Sequence, residues 1–116
     1  MNGILVVNKE KDYTSRDVVN IISKEFKTKK VGHTGTLDPI ATGVLVVTIG
    51  EATKISELLV STYKEYIAEV TLGIKTDTLD ITGNILETKE IKLDKSKLEQ
   101  TIKSFKKTYL QEVPIY

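Results

Sequence analysis

The sequence predicts an α+β fold, a mixed, largely antiparallel sheet with flanking helices. Three observations predict it. Short runs rich in β-branched residues, bounded by polar residues or glycine, occur at 3–8 and 43–50. Apolar residues recur every three to four positions in the segments that follow Thr14, Gly50 and Asp94. Strands and helices do not alternate as regular βαβ units, which argues against a doubly wound parallel sheet. With 116 residues, 40% of them apolar and 28% charged, the chain fits one domain with a real core.

Taken in order, "GILVVN" (3–8) reads as a buried strand. Thr14 or Ser15 can cap the helix after it, with Asp17 favoured in the first turn by the helix dipole. Val18, Ile22 and Phe26 give that helix a core-facing stripe. "GVLVVTIG" (43–50) reads as a central strand, and 51–63 as a helix with Ile55, Leu58, Leu59 and Thr62 on one side. In 66–74 Tyr66, Ala68, Val70, Leu72 and Ile74 alternate with polar positions, the pattern of a half-buried strand. The Asp/Thr/Gly-rich stretch 75–84 predicts a turn or functional loop, with "ILETKEI" as its hairpin partner. Asp94 caps a last helix with a Leu98, Ile102 and Phe105 stripe and a solvated face of lysines at 95, 97, 103, 106 and 107. "TYLQEV" predicts a final strand ended by Pro114.

Composition excludes several chemistries. Without cysteine there is no disulfide, thiolate nucleophile or Cys-ligated zinc, and the single histidine cannot form a zincin pair. No serine sits in a G-x-S-x-G elbow, and neither P-loop nor G-x-G-x-x-G spacing occurs. Any catalysis falls to a carboxylate, a hydroxyl or an amine. No apolar run approaches a membrane span and the N-terminus lacks a basic start, so the expected location is cytoplasmic. The net charge of +1 gives no global nucleic-acid signal, although Lys24, Lys27, Lys29 and Lys30 cluster locally.

The stretch "KVGHTGTLDPIATGVLVV" (30–47) concentrates three of the seven glycines, the only histidine and an Asp-Pro pair. The proline biases Asp38 towards extended backbone, so its carboxylate projects from a stiff loop. An ordinary aspartate is ionised at neutral pH and can attack an electron-poor carbon without a neighbouring base. The same residue could equally satisfy backbone N–H groups in an Asx-turn. His33 reads either as structural or as a planar ring that bonds or stacks on a nucleobase. Tyr66 reads as a core-edge aromatic or a stacking residue.

"VGHTGTLDPIATGVLVVTIGEATK", together with "GILVVNK…TSRDVV", "KEYIAEVTLGIKTDTLDITG" and "QEVPIY", resembles the bacterial TruB-type tRNA pseudouridine synthases over essentially the whole chain. The resemblance implies isomerisation of uridine-55 in the tRNA T stem-loop, without metal or organic cofactor. It assigns Asp38 as the catalytic aspartate, His33 as an RNA contact and Tyr66 as the residue packed on the target uracil. Lys9, Lys29 and Lys30 become candidate phosphate contacts. The Ile40-Ala41 pair resembles the stand-alone branch, which uses no guide RNA. The family's Lys-Pro-x-Gly is here Lys9-Glu10-Lys11-Asp12. The resemblance further implies that 1–116 is the N-terminal part of a catalytic domain, truncated before the C-terminal RNA-binding region and inactive or weakly active alone. A non-catalytic RNA-binding or folding module on the same scaffold is the alternative.

Overall fold

The computed structural model describes residues 1–61, 63–105 and 108–113. It consists of two units, Met1–Glu65 and Tyr66–Tyr116. The first holds strand β1 (Gly3–Lys9), helix α1 (Ser15–Glu25), strands β2 (Val31–His33) and β3 (Gly43–Ile49), and a 3₁₀ segment (Gly50–Leu59).

Helix α1 starts where the sequence allows a cap. The Thr14 hydroxyl accepts from the Asp17 N–H at 3.0 Å, and the Asp17 carboxylate accepts from the Thr14 N–H at 2.8 Å, a reciprocal capping box. The helix ends at Phe26, whose N–H still reaches the Ile22 carbonyl, and Lys27 follows at φ +50°. Val18 and Ile22 are buried as the stripe requires; Phe26, at the cap, is exposed.

The strands form one antiparallel sheet in the order β1-β3-β2. β3 is central, as its continuous apolar run predicts. Leu45, Val47 and Ile49 on one face pack with Val18 and Ile22 of α1, flanked by Val7 and Val31. On the other face Thr48 is buried, its hydroxyl 2.8 Å from that of Ser56 in the 3₁₀ segment. The chain turns out of β3 at Gly50, φ +64°, where a Cβ would run into the Met1 carbonyl and the Asn2 side chain. Only glycine fits there.

β1 lies at an edge rather than in the interior, so Ile4 and Val6 are exposed on the face away from α1. β2 is an element that the glycine-rich sequence does not announce. It is defined only by its pairing with β3, Val31 opposite Ile49 and His33 opposite Val47.

The second unit contains the hairpin β4 (Ile74–Thr76) and β5 (Ile85–Thr88), then helix α2 (Lys95–Ser104). Asp94 caps α2 by accepting from the Lys97 N–H at 3.1 Å. In the hairpin loop the Asp80 carboxylate accepts from the Thr82 hydroxyl and N–H and the Thr78 hydroxyl, in that order of effect. These bonds hold its pKa below the usual carboxylate range. Asp77 accepts twice from Asn84 across the loop.

Several expectations are corrected here. Residues 66–72 are exposed and form no strand, although their alternation is correct for one. A strand exists only with a ladder partner, and none pairs with this segment among the described residues. Residues 108–113 likewise form no strand. The helix after Gly50 is 3₁₀ rather than α, so residues three apart eclipse and the Ile55 and Leu58 stripe stays exposed. In α2 Leu98 is half-buried, while Ile102 and Phe105 are exposed. The expectations for Thr62, Lys106, Lys107 and Pro114 lie outside the described residues. No helix among the described residues is long and apolar enough to cross a membrane.

Two predictions follow from these contacts. Leu45→Ala, at a core position, is expected to cost about 2–5 kcal/mol, while Val44→Ala, one residue away and exposed, stays within about 0.5 kcal/mol. Urea unfolding of the full-length protein, with the slope unchanged, checks both. The second concerns Asp17, whose carboxyl is held below its usual range by the Thr14 side chain first and the Thr14 N–H second. A depressed folded value means that the cap contributes fully above the ordinary carboxylate range and is lost as pH falls through the folded value. Amide exchange in the first turn of α1 should therefore accelerate over that acidic window, and Asp17→Asn should abolish the pH step.

Candidate functional site

The loop 34–42 leaves β2 after His33 and enters β3 at Gly43, whose φ of +138° suits glycine. A nine-residue connection would ordinarily be mobile. This one is tied at both sides of its aspartate. Before Asp38, the Leu37 N–H donates to the Ser15 hydroxyl at 3.0 Å, and that hydroxyl lies 3.4 Å from the Leu37 carbonyl. After Asp38, the Pro39 carbonyl accepts from the Asp12 N–H at 2.7 Å and from the Lys9 ammonium at 3.4 Å. A turn closes the segment, with the Ala41 N–H donating to the Asp38 carbonyl at 2.9 Å.

Lys9 is the organiser of this arrangement. It is 1% exposed, and its ammonium also donates to the carbonyls of Tyr13 (2.6 Å) and Glu10 (2.9 Å). Three N–H donors meet three carbonyl oxygens, which is the full capacity of the group. The candidate role of Lys9 as a phosphate contact is therefore corrected: its donors are consumed inside the protein. The loop between β1 and α1 is held by these bonds without Pro and Gly. Asp12 takes φ +70° at the position of the family's glycine, and Asp is one of the few residues that tolerate that region.

Asp38 stands between these anchors, exposed, and its carboxylate accepts no hydrogen bond among the described residues. The Asx-turn alternative thus finds no support in its contacts. His33 ends β2 opposite Val47, directly before the loop that carries Asp38, and is half-buried, with Nδ1 enclosed and unpartnered among the described residues. Lys29 and Lys30 lie elsewhere. The Lys30 carbonyl accepts from the Gly50 N–H at 2.7 Å, at the opposite end of β3. β3 covers seven residues, so on the order of 20 Å of strand separates them from the Gly43 end. The Lys30 ammonium pairs with Glu51 at 2.8 Å, and Lys54 shares that carboxylate, holding the Glu51 pKa down. Tyr66 opens the second unit with its ring exposed.

Sequence reasoning missed Asp12 as a clamp and saw Ser15 only as a possible cap. Their partners lie 22 or more residues away, and no local pattern reports such a bond.

A description of the TruB family pseudouridylate synthase N-terminal domain matches residues 23–116. The chain belongs to that family. It is 52% identical over 116 residues to the tRNA pseudouridine synthase B of Caldicellulosiruptor saccharolyticus, covering all of this chain and 40% of the relative. The Bacillus subtilis protein of the same name is 48% identical over 118 residues, covering 38% of its length. That of Aquifex aeolicus is 41% identical over 98% of this chain and 40% of its own. The chain thus spans about 40% of the length of these relatives. Membership fits the α+β architecture.

Lys9→Met leaves three carbonyls without their charged donor. The expected cost is about 1.5–3 kcal/mol, the worth of hydrogen bonds to a charged group. Amide exchange at Asp12 and Leu37 should accelerate together, since the two loops lose their common tie. Unchanged exchange at both would show that the loops hold each other without the lysine.

Proposed function

We propose that this chain carries the nucleophile-bearing part of a tRNA pseudouridine synthase that isomerises uridine-55 of the T stem-loop. The observation that carries the reading is the free, exposed carboxylate of Asp38 between two anchored neighbours. A group that must meet a sugar carbon needs a fixed backbone and an uncommitted oxygen. Asp38 has both. The names of the relatives, tRNA pseudouridine synthase B, support the substrate and the reaction class.

In this reading the N1–C1′ bond of the uridine breaks with help from the Asp38 carboxylate. The uracil turns while held, and C5 bonds to C1′ as its proton leaves and N1 is protonated. Substrate and product are isomers, so the atoms balance without a metal, cofactor or other co-reactant. The target base must first leave its stack, at a cost of a few kcal/mol. Stacking on Tyr66 offsets roughly 1–3 kcal/mol of that. His33 contacts the RNA beside the reacting nucleotide. Lys29 and Lys30 serve as phosphate contacts remote from the reacting carbon. The stem-loop is recognised directly, without a guide RNA, in the cytoplasm where its substrate resides.

Asp38→Asn in the full-length protein is the test. Pseudouridine formation, followed by tritium release from C5-labelled tRNA, is expected to fall by about 10³-fold or more, with tRNA affinity within a few-fold of the parent. Undiminished turnover would eliminate the catalytic reading and leave a non-catalytic RNA-binding or folding module.

A further inference from the structure

We infer that His33 carries its ring proton on Nε2 and uses that N–H as a fixed donor to an oxygen of the RNA, an inference that rests on the RNA-contact reading above. His33 pairs with Val47, and directly opposed residues of an antiparallel pair project to the same face. Val47 is fully buried against the residues of α1, so the imidazole enters the helix-covered face of the sheet.

The two ring nitrogens meet different surroundings there. Nδ1 has no access to solvent and no hydrogen-bond partner among the described residues. Nε2 is not enclosed and makes no hydrogen bond among them. A proton on Nδ1 would create an orphaned N–H inside the protein, the rarest kind of unsatisfied group, whereas a bare Nδ1 leaves only an unpaired acceptor. The environment of one nitrogen sets the state of the other. The proton therefore resides on Nε2, where it meets water in the free protein.

The backbone that carries the ring is also held in place. The next residue, Thr34, donates its N–H to the Val46 carbonyl at 3.0 Å, which extends the anchoring of β2 one step beyond its ladder. The Nε2–H thus issues from the last residue of β2, where the loop that bears Asp38 begins. Such a donor accepts carbonyl or phosphate oxygen and rejects an amino group in the same place. It makes His33 a specificity-determining residue that reads one acceptor on the nucleotides around the target.

One histidine in the chain makes the state directly observable. Long-range ¹H–¹⁵N correlation of the full-length protein is expected to give the Nε2–H tautomer pattern, and an Nδ1–H pattern would overturn the inference without any variant. The functional arm compares His33→Gln, whose amide nitrogen reaches the Nε2 position, with His33→Asn, which reaches only that of Nδ1. For a T-arm stem-loop RNA, the Gln variant should bind within about threefold of the parent and the Asn variant about tenfold more weakly, the worth of one hydrogen bond. Equal losses in both variants would overturn the donor role while leaving His33 an RNA contact through stacking. Unchanged binding in both would remove the contact itself. Single thio-pyrimidines and single phosphorothioates in the RNA then separate the two oxygen sources, since the replacement that closes the gap between parent and Asn variant marks the acceptor. If no replacement closes it, the donor role fails.

Discussion

A buried ammonium with no carboxylate partner among the described residues holds two loops together, and the candidate site depends on it. Lys9 sits at the last position of β1, where its strand pairs with Gly43 at the first position of β3. Both loops therefore begin within reach of one side chain. Its donors reach back to Glu10 and Tyr13 and across to Pro39. Burial of a charge is expensive unless every donor is used, and here every donor is used. Had the partner been an acid, the ion pair would have been neutral and local. Carbonyl partners instead shape the backbone, and the backbone is what positions Asp38.

The clamp also explains why Asp38 stays free. The loop's hydrogen-bonding needs are met by Ser15, Asp12, Lys9 and its own Ala41 N–H, so nothing in the segment calls on the aspartate side chain. A carboxylate that served as a structural acceptor would be unavailable for chemistry. Division of labour between main chain and side chain resolves the conflict between rigidity and reactivity. Helix α1 takes part because Ser15, at its first turn, is bonded to Leu37 while Val18 and Ile22 dock the same helix on the sheet. Core packing and loop geometry are thereby coupled through one short helix.

The sheet then sets distances. Charges at its two ends are separated by the full length of β3, so the lysines of 29 and 30 belong to a different neighbourhood from the aspartate despite lying within ten residues of it in sequence. Sequence proximity is a poor guide to spatial proximity here, because β2 pairs with the Val47–Ile49 end of β3 and the loop 34–42 carries the chain on to the Gly43 end. In the second unit the same lesson runs the other way. Asp77 and Asn84 are seven residues apart and meet directly, because a hairpin returns the chain to its start.

The sequence by itself determined the central strand 43–49, the capped helix after Thr14, the hairpin around 75–88 and the cap at Asp94. Each of these rests on neighbours within a few residues: apolar runs, caps and turn chemistry. It also singled out Asp38 through an Asp-Pro pair among glycines. Tertiary structure alone decided that Val31–His33 is a strand, that 66–72 is not, that Lys9 is a clamp and that Asp12 and Ser15 secure the loop. The pairings depend on partners 14 to 30 residues away, such as His33 with Val47, Ser15 with Leu37 or Lys9 with Pro39. A strand or a buried donor exists only when its complement arrives, and the complement is set by folding rather than by the local order of residues.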